Sequence, residues 1–324
     1  MAVYTHIDHE SLARFLAGYD LGALKSFEGI AQGVSNTNYH VFTDKDRYVL
    51  TMFEEHRTRR VDLPFFFAFS DHLVSKGLSV PQAIADKKGD IIGDLMGKPS
   101  VLINFLEGKD IERGFTEAKH CAEMGAFAAK LHVAAADFSQ QRLNSWAMKH
   151  WRGLADTMRD KMDGYSPGLQ KFIYDELDYI EQNWPLFLPA VAIHGDLFPD
   201  NVFFKKDKTG GNKISAAIDF YFSATEFVLF DLAIIINSWC FDRQHKFYPD
   251  RYAALIGAYE GVRKLDEEEW KVLNVVCRGT SMRFLLSRLQ EFLAHREDTL
   301  MVPHDPQEYV TKLKFHQQND VRDV

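Results

Sequence analysis

Five polar residues, set where short apolar runs end, have the types and spacing to move a phosphoryl group. The stretch Ala192-Ile193-His194-Gly195-Asp196-Leu197-Phe198-Pro199-Asp200-Asn201-Val202-Phe203-Phe204 places a polar loop between two strand candidates, and a third strand, Ala216-Ala217-Ile218, closes on Asp219. Phosphoryl transfer to an alcohol needs a carboxylate to orient and deprotonate the hydroxyl, and hard oxygen ligands to hold Mg²⁺ on the nucleotide phosphates. Asp196 fits the first role; Asn201 and Asp219 fit the second. The interval from Asp196 to Asn201 equals that between base and metal-binding Asn in an H-R-D-x-x-x-x-N catalytic loop. Asp200, taken alone, reads as a turn residue, because Asp tolerates turn geometry.

A second acidic residue needs a reason. Asp231 lies inside Phe227-Val228-Leu229-Phe230-Asp231-Leu232-Ala233-Ile234-Ile235-Ile236. A carboxylate buried in so apolar a helix would cost several kcal/mol without hydrogen-bond donors. The nearest polar backbone in need of bracing is the loop after Ile193, so Asp231, with His194 at the head of that loop, is expected to support the site from behind. Eleven residues separate Asp219 from Asp231, too few for an activation segment that docks a peptide. A small acceptor with a free hydroxyl follows.

The elements that must position these residues form two groups. A short amphipathic helix over 9–18 precedes strands over 23–30, 39–42 and 48–53, a helix over 61–76 rich in Phe, and extended segments around 91–93 and 99–106. Between the first two strands, Gly33-Val34-Ser35-Asn36-Thr37-Asn38 supplies small, hydrogen-bonding residues that let backbone N–H groups approach a phosphate, with Ser35, Asn36, Thr37 and Asn38 as the contacts. Glu107-Gly108-Lys109-Asp110 breaks the pattern, giving an N-terminal lobe of 1–107 and a C-terminal lobe of 108–324. Helices are expected over 116–136, 146–161, 166–183, 227–239, 250–263, 267–295 and 306–317. Ser166-Pro167 reads as a helix start, Ser as cap and Pro in the first turn. His132 reads as a core histidine.

Composition narrows the partners. With 324 residues, 46% hydrophobic and 26% charged, the chain has the balance of a globular protein with a sizeable core. A net charge of -8 argues against a nucleic-acid surface. Cys121, Cys240 and Cys277 are far apart and odd in number, which suits a reducing compartment rather than a disulfide framework. Charges interrupt every apolar run before membrane-spanning length, so the expectation is a cytoplasmic protein that does not engage a membrane.

With these residues in view, the chain resembles the aminoglycoside phosphotransferase and choline kinase superfamily. The likeness rests on His194-Gly195-Asp196 through Asn201, Ile218-Asp219-Phe220, Asp231-Leu232-Ala233 and Ala129-Lys130-Leu131-His132. It implies an α+β, bilobal, protein-kinase-like fold, with an antiparallel sheet and one main helix in the N-terminal lobe and a larger, mostly helical C-terminal lobe. Gly33 to Tyr39, Tyr48 to Thr51, Asp62 to Phe66, His194 to Asn201 and Met282 to Leu289 together are similar to homoserine kinases of that superfamily. The resemblance implies MgATP-dependent phosphorylation of L-homoserine, with adenine against the backbone of Asn104, Phe105 and Leu106. A small zwitterion calls for a cation at its carboxylate, for which Arg283 and Arg288 are candidates, and an acid at its amine, for which Asp200 and Glu226 are candidates. The alternatives are another acceptor, whether choline, an aminoglycoside, a sugar or another amino alcohol, and a nucleotide-binding protein without turnover. Only Thr51 favours the last: it stands where the third strand of a kinase offers Lys to the phosphates, with Asp62 as a candidate acidic partner and Arg47 or another cation as the substitute.

Overall fold

In a computed structural model, which describes residues 5–30, 36–54, 58–208, 210–295 and 303–323, the chain divides into two units. Met1–Gly108 with Ser215–Tyr221 forms the first, and Lys109–Ile214 with Phe222–Val324 the second.

Alternation builds the first unit. The strands β1 (Leu24–Gly29), β2 (Thr37–Thr43), β3 (Arg47–Met52), β4 (Gly93–Leu95) and β5 (Lys98–Asn104) make one antiparallel sheet in the order β1-β2-β3-β5-β4. In β2 every second residue is buried, so Tyr39 and Val41 face one side while Asn38, His40 and Phe42 face the other. Helix α1 (His9–Leu16) packs Leu12 and Leu16 onto the first side, against Tyr39, Val41, Leu50, Met52 and Leu102. Each fully buried Leu here is worth about 1.5–3 kcal/mol. Asp8 caps α1, its Oδ1 accepting the Ser11 N–H at 2.7 Å.

Helix α2 (Leu63–Ser75) turns its aromatic stripe to two purposes. Phe67 meets Phe53 with ring centroids 6.3 Å apart, while Phe66 and Phe69 receive Tyr221 and Phe220 at 5.8 and 5.9 Å. The segment carrying Asp219 is thereby seated on α2.

The second unit is helical: α3 (Ala118–Ala135), α4 (Trp151–Asp156), α5 (Arg159–Tyr165), α6 (Leu169–Asn183), α7 (Val228–Trp239), α8 (Pro249–Glu260), α9 (Glu267–Ala294) and α10 (Gln307–Gln318). Helices α3 and α8 approach closely at Gly125, where a Cβ would stand 2.0 Å from the Leu255 carbonyl oxygen. Asn237 of α7 pins three helices, donating to Cys277 O at 2.9 Å and Thr280 Oγ1 at 3.0 Å and meeting His316 Nε2 at 2.7 Å. Two short ladders are inserted among these helices: β6 (Ala190–Ile193) with β9 (Ala224–Phe227), and β7 (Val202–Lys206) with β8 (Asn212–Ala217), whose last residues belong to the first unit. No helix among the described residues is long and apolar enough to cross a membrane. Cys121, Cys240 and Cys277 are buried free thiols.

The α+β reading, with an antiparallel N-terminal sheet and a mostly helical remainder, holds. Two local expectations fail. The helix expected over 146–161 opens with a short 3-10 turn at Met148–His150 and breaks at Met158, where φ is −117° and the chain restarts as α5. Ser166 ends α5 rather than opening α6, which follows Gly168 at φ 82°. Asp163 provides the capping oxygen, accepting the Gln170 N–H at 2.9 Å.

Candidate active site

Strand β6 delivers the chain to His194, and a tight turn carries it on to Asp196. Gly195 has φ 81°, and a Cβ on it would lie 2.8 Å from the Phe222 carbonyl oxygen, so both conformation and space demand glycine. Asp231, in the first turn of α7, sits directly behind. Its Oδ2 accepts the His194 N–H and its Oδ1 the Gly195 N–H, each at 2.7 Å. His132 of α3 completes the set, with Nε2 3.3 Å from Asp231 Oδ2 and Nδ1 2.9 Å from the Tyr259 hydroxyl. Burial by itself would raise the Asp231 carboxyl, but the His132 side chain, the charges of His132 and His194 and the Gly195 N–H together hold it below the ordinary carboxylate range. The bracing role expected of Asp231 therefore has a physical form: a charged acceptor fixing two consecutive backbone donors.

Beyond the turn, Asp196 and Asn201 come together. Asn201 Nδ2 donates to Asp196 Oδ2 at 3.1 Å and to the Asp196 carbonyl at 2.9 Å, while the Asp196 N–H donates to His194 Nδ1 at 3.2 Å. The Leu197 carbonyl is anchored by Trp239 Nε1 at 2.9 Å. Burial pushes the Asp196 carboxyl above the ordinary range, against the pull of Arg283, Arg113 and His194. With the Asn201 amide nitrogen engaged on Asp196, its amide oxygen is the atom left for a hard cation.

Asp219 lies in the first unit at φ 65°, a left-handed conformation that only a few per cent of non-glycine residues adopt. Its neighbours lock it: Ala217 N–H donates to Ser79 O at 3.1 Å, Phe220 packs on Phe69, and Tyr221 stands edge-on to Phe53 at 5.0 Å. Burial and the Asp219 charge push the Tyr221 phenol well up, while a hydrogen bond with Thr51 pulls the other way.

The remaining nucleotide-side residues are in the same unit. Ser35 lies outside the described residues. Asn36 is buried and accepts the Glu54 N–H at 3.4 Å, and the Thr37 hydroxyl donates to Glu54 Oε1 at 3.2 Å. Asn38 faces the opposite side of the sheet and accepts the Thr51 hydroxyl at 2.7 Å. Asn104 is tied to Gln82 through its Oδ1 at 2.7 Å; the Phe105 ring lies under the Arg47 guanidinium at 3.8 Å, and Leu106 is half-buried. The two groups offered in compensation for Thr51 are committed elsewhere, since Arg47 pairs with Glu107 and Asp62 with Arg59. Thr51 instead bridges Asn38 and Tyr221.

The acceptor candidates separate. Asp200 accepts a two-point fork from Arg113, Nε to Oδ1 at 2.9 Å and Nη2 to Oδ2 at 2.8 Å, so it is an ion-pair partner beside the loop. Glu226 pairs across the ladder with Val191, three residues before His194, and accepts Asn144 Nδ2 at 3.1 Å. Arg288 is ion-paired with Glu308, which also binds Lys312. Arg283 is buried with no carboxylate within salt-bridge distance among the described residues, enclosed by Phe284, Trp146 and Phe222 at 3.8, 5.1 and 5.5 Å from the guanidinium carbon. Burial lowers it to about 10 despite the attraction of Asp196.

Sequence reasoning assigned His132 to the core and did not raise Arg113. The Ala129-Lys130-Leu131-His132 run carried a trace of the first, but nothing local marks Arg113 as the partner of a residue 87 positions away.

Residues 26–265 match the model of the phosphotransferase enzyme family. A homoserine kinase of Xanthobacter autotrophicus is 43% identical over 320 residues, covering 99% of this chain and 97% of that protein. One from Rhodopseudomonas palustris is 44% identical over 317 residues, covering 98% and 95%. In fold alone, the amicoumacin kinase hAmiN, solved with AMP-PNP, Ca²⁺ and Ami, aligns with a TM-score of 0.70 at 14% identity, over 98% of this chain and 94% of that one. The chain belongs to the phosphotransferase enzyme family, and both of these near-full-length relatives are homoserine kinases.

Proposed function

We propose that the chain is a kinase of L-homoserine, transferring the γ-phosphoryl group of ATP to the side-chain hydroxyl and releasing O-phospho-L-homoserine and ADP. The supporting observation is the braced loop: Asp231 fixes the N–H groups of His194 and Gly195, and Asn201 fixes Asp196, so one carboxylate is held ready for an alcohol. The full-length likeness to homoserine kinases supports the choice of acceptor.

Asp196 orients the hydroxyl and accepts its proton as the bond to phosphorus forms. A carboxyl raised above its ordinary range by burial is a better proton acceptor than a free one. Positioning and charge neutralisation supply most of the acceleration, because the transferring group passes through a loose transition state.

Asn201 and Asp219 are the proposed protein ligands of Mg²⁺, which would neutralise charge on the phosphates. Among the described residues no three His, Cys, Asp or Glu side chains cluster as a metal site. Two oxygen donors suit Mg²⁺ better than a closed cage, since that ion keeps waters and takes phosphate oxygens as ligands. The first unit is the proposed nucleotide-binding lobe, with Ser35, Asn36, Thr37 and Asn38 at the phosphates and the backbone of Asn104, Phe105 and Leu106 at the adenine. The second is the proposed catalytic and acceptor lobe, for which Arg283, with Arg288, Asp200 and Glu226 behind it, is the leading contact.

The decisive assay follows ADP release with MgATP and a panel of alcohols. L-Homoserine should support turnover with the highest kcat/KM of the panel, and omission of Mg²⁺ should abolish it. Equal or better rates with choline or an aminoglycoside would move the assignment to that acceptor.

A further inference from the structure

Arg283 is an arginine built like a binding fork without its partner. It projects from the middle of α9, is 3% exposed, and its Nε is buried without a hydrogen-bond acceptor. Leaving a guanidinium so placed is costly unless something meets it, because a buried donor without a partner forfeits its hydration and gains nothing in return.

The surroundings say what would meet it. Phe284 covers one face of the guanidinium at 3.8 Å, and Trp146 and Phe222 approach at 5.1 and 5.5 Å. Aromatic stacking occupies the faces of a guanidinium and leaves its in-plane N–H edge for a planar anion. The same unit contains a filled example: Arg113 lies 4.3 Å over the Phe198 ring and grips Asp200 through Nε and Nη2. Arg283 has the stack and lacks the carboxylate.

Its position ties it to the reacting group. Phe222, whose ring borders the guanidinium, has its backbone carbonyl against Gly195, and Phe284 stacks edge-on with Phe198 of the catalytic loop at 4.9 Å. The other cations near the loop are already matched, Arg113 by Asp200 and Arg288 by Glu308.

We propose that Arg283 receives the α-carboxylate of the acceptor through its Nε edge, and so makes this kinase select an amino acid over an amino alcohol. The inference rests on L-homoserine being the acceptor and deepens that reading. Three carbons join the hydroxyl, directed to Asp196, and the carboxylate, directed to Arg283, whose charge acts on Asp196.

The test compares L-homoserine with 3-aminopropan-1-ol, which is the same molecule without its carboxylate, with MgATP as donor. Wild-type enzyme should prefer L-homoserine in kcat/KM, and Arg283→Met should reduce that preference by about 100-fold or more, the scale expected when a buried charged hydrogen-bond partner is removed. Arg283→Lys, which keeps the charge and loses the fork, should retain an intermediate preference, and it serves if the Met variant fails to fold. A preference unchanged in both variants, with the two acceptors losing rate in equal measure, would overturn the proposal and make Arg283 an electrostatic partner of Asp196 alone. A wild-type enzyme that ignores L-homoserine would instead defeat the acceptor assignment, and the inference with it.

Discussion

Asp231 and His132 meet within the second unit with both side chains fully buried, Oδ2 to Nε2 at 3.3 Å. The contact links α3 to α7, and through Asp231 it reaches the two backbone N–H groups that set the turn before Asp196. A carboxylate can remain in this apolar setting because the His194 and Gly195 N–H groups donate to it and the His132 ring nitrogen lies beside it.

Replacing Asp231 by Asn puts an N–H group against one of those donors. Stability should fall by about 3 kcal/mol, as when one partner of a buried charged pair is lost. The dependence on pH has a definite sign. The folded Asp231 carboxyl titrates below its ordinary 3.8, so its contribution is fully present above that value and is lost as pH falls through the lower, folded one. Urea melts at pH 7 and at pH 3 should show a large gap between wild type and Asp231→Asn at neutral pH and a smaller one in acid. Equal gaps at both would mean that the charge of Asp231 does not carry the stabilisation.

Asp196 has the opposite sign. Burial raises its folded carboxyl, so its favourable contribution exists below the ordinary value of 3.8 and disappears as pH rises through the folded value. Ionising Asp196 within the fold is therefore unfavourable, and at pH 7 Asp196→Asn should melt at the same temperature as wild type or higher. Turnover of L-homoserine should drop by about 10³-fold, within the range for removal of a general base. Wild-type kcat/KM should decline on the acid side with an apparent pKa above 3.8. Near-normal turnover by Asp196→Asn would remove Asp196 from the role of base.

These two residues show what the sequence could and could not display. The pairing of Asp196 with Asn201 was legible because their interval is local and the turn that joins them is short. Asp231 was legible because a charge in an apolar helix requires an explanation. His132 was not, since its chemistry depends on an Asp 99 positions later, and an isolated His on a helix looks the same whether or not it has that partner. Thr51 was visible as a departure from the kinase pattern, but the residue that meets it was not. Tyr221 reaches Thr51 only because α2 seats the 215–221 segment in the first unit. The break at Met158 is a local departure of one residue's backbone, φ −117°, which hydrophobic periodicity does not register.

Arg113 supplies a last, signed prediction. Its guanidinium neutralises Asp200 and lowers the Asp196 carboxyl, whereas an uncompensated Asp200 raises it. Arg113→Met removes the first influence and exposes the second, so the acid limb of the kcat/KM profile should move to higher pH. Stability should change little, by about 1 kcal/mol or less, because this pair is partly solvated. A structural role alone would lower activity at every pH without shifting the limb. Arg113→Lys separates charge from geometry: it should return the limb towards its wild-type position, and a profile that stays displaced would assign the effect to the fork on Asp200 rather than to the positive charge.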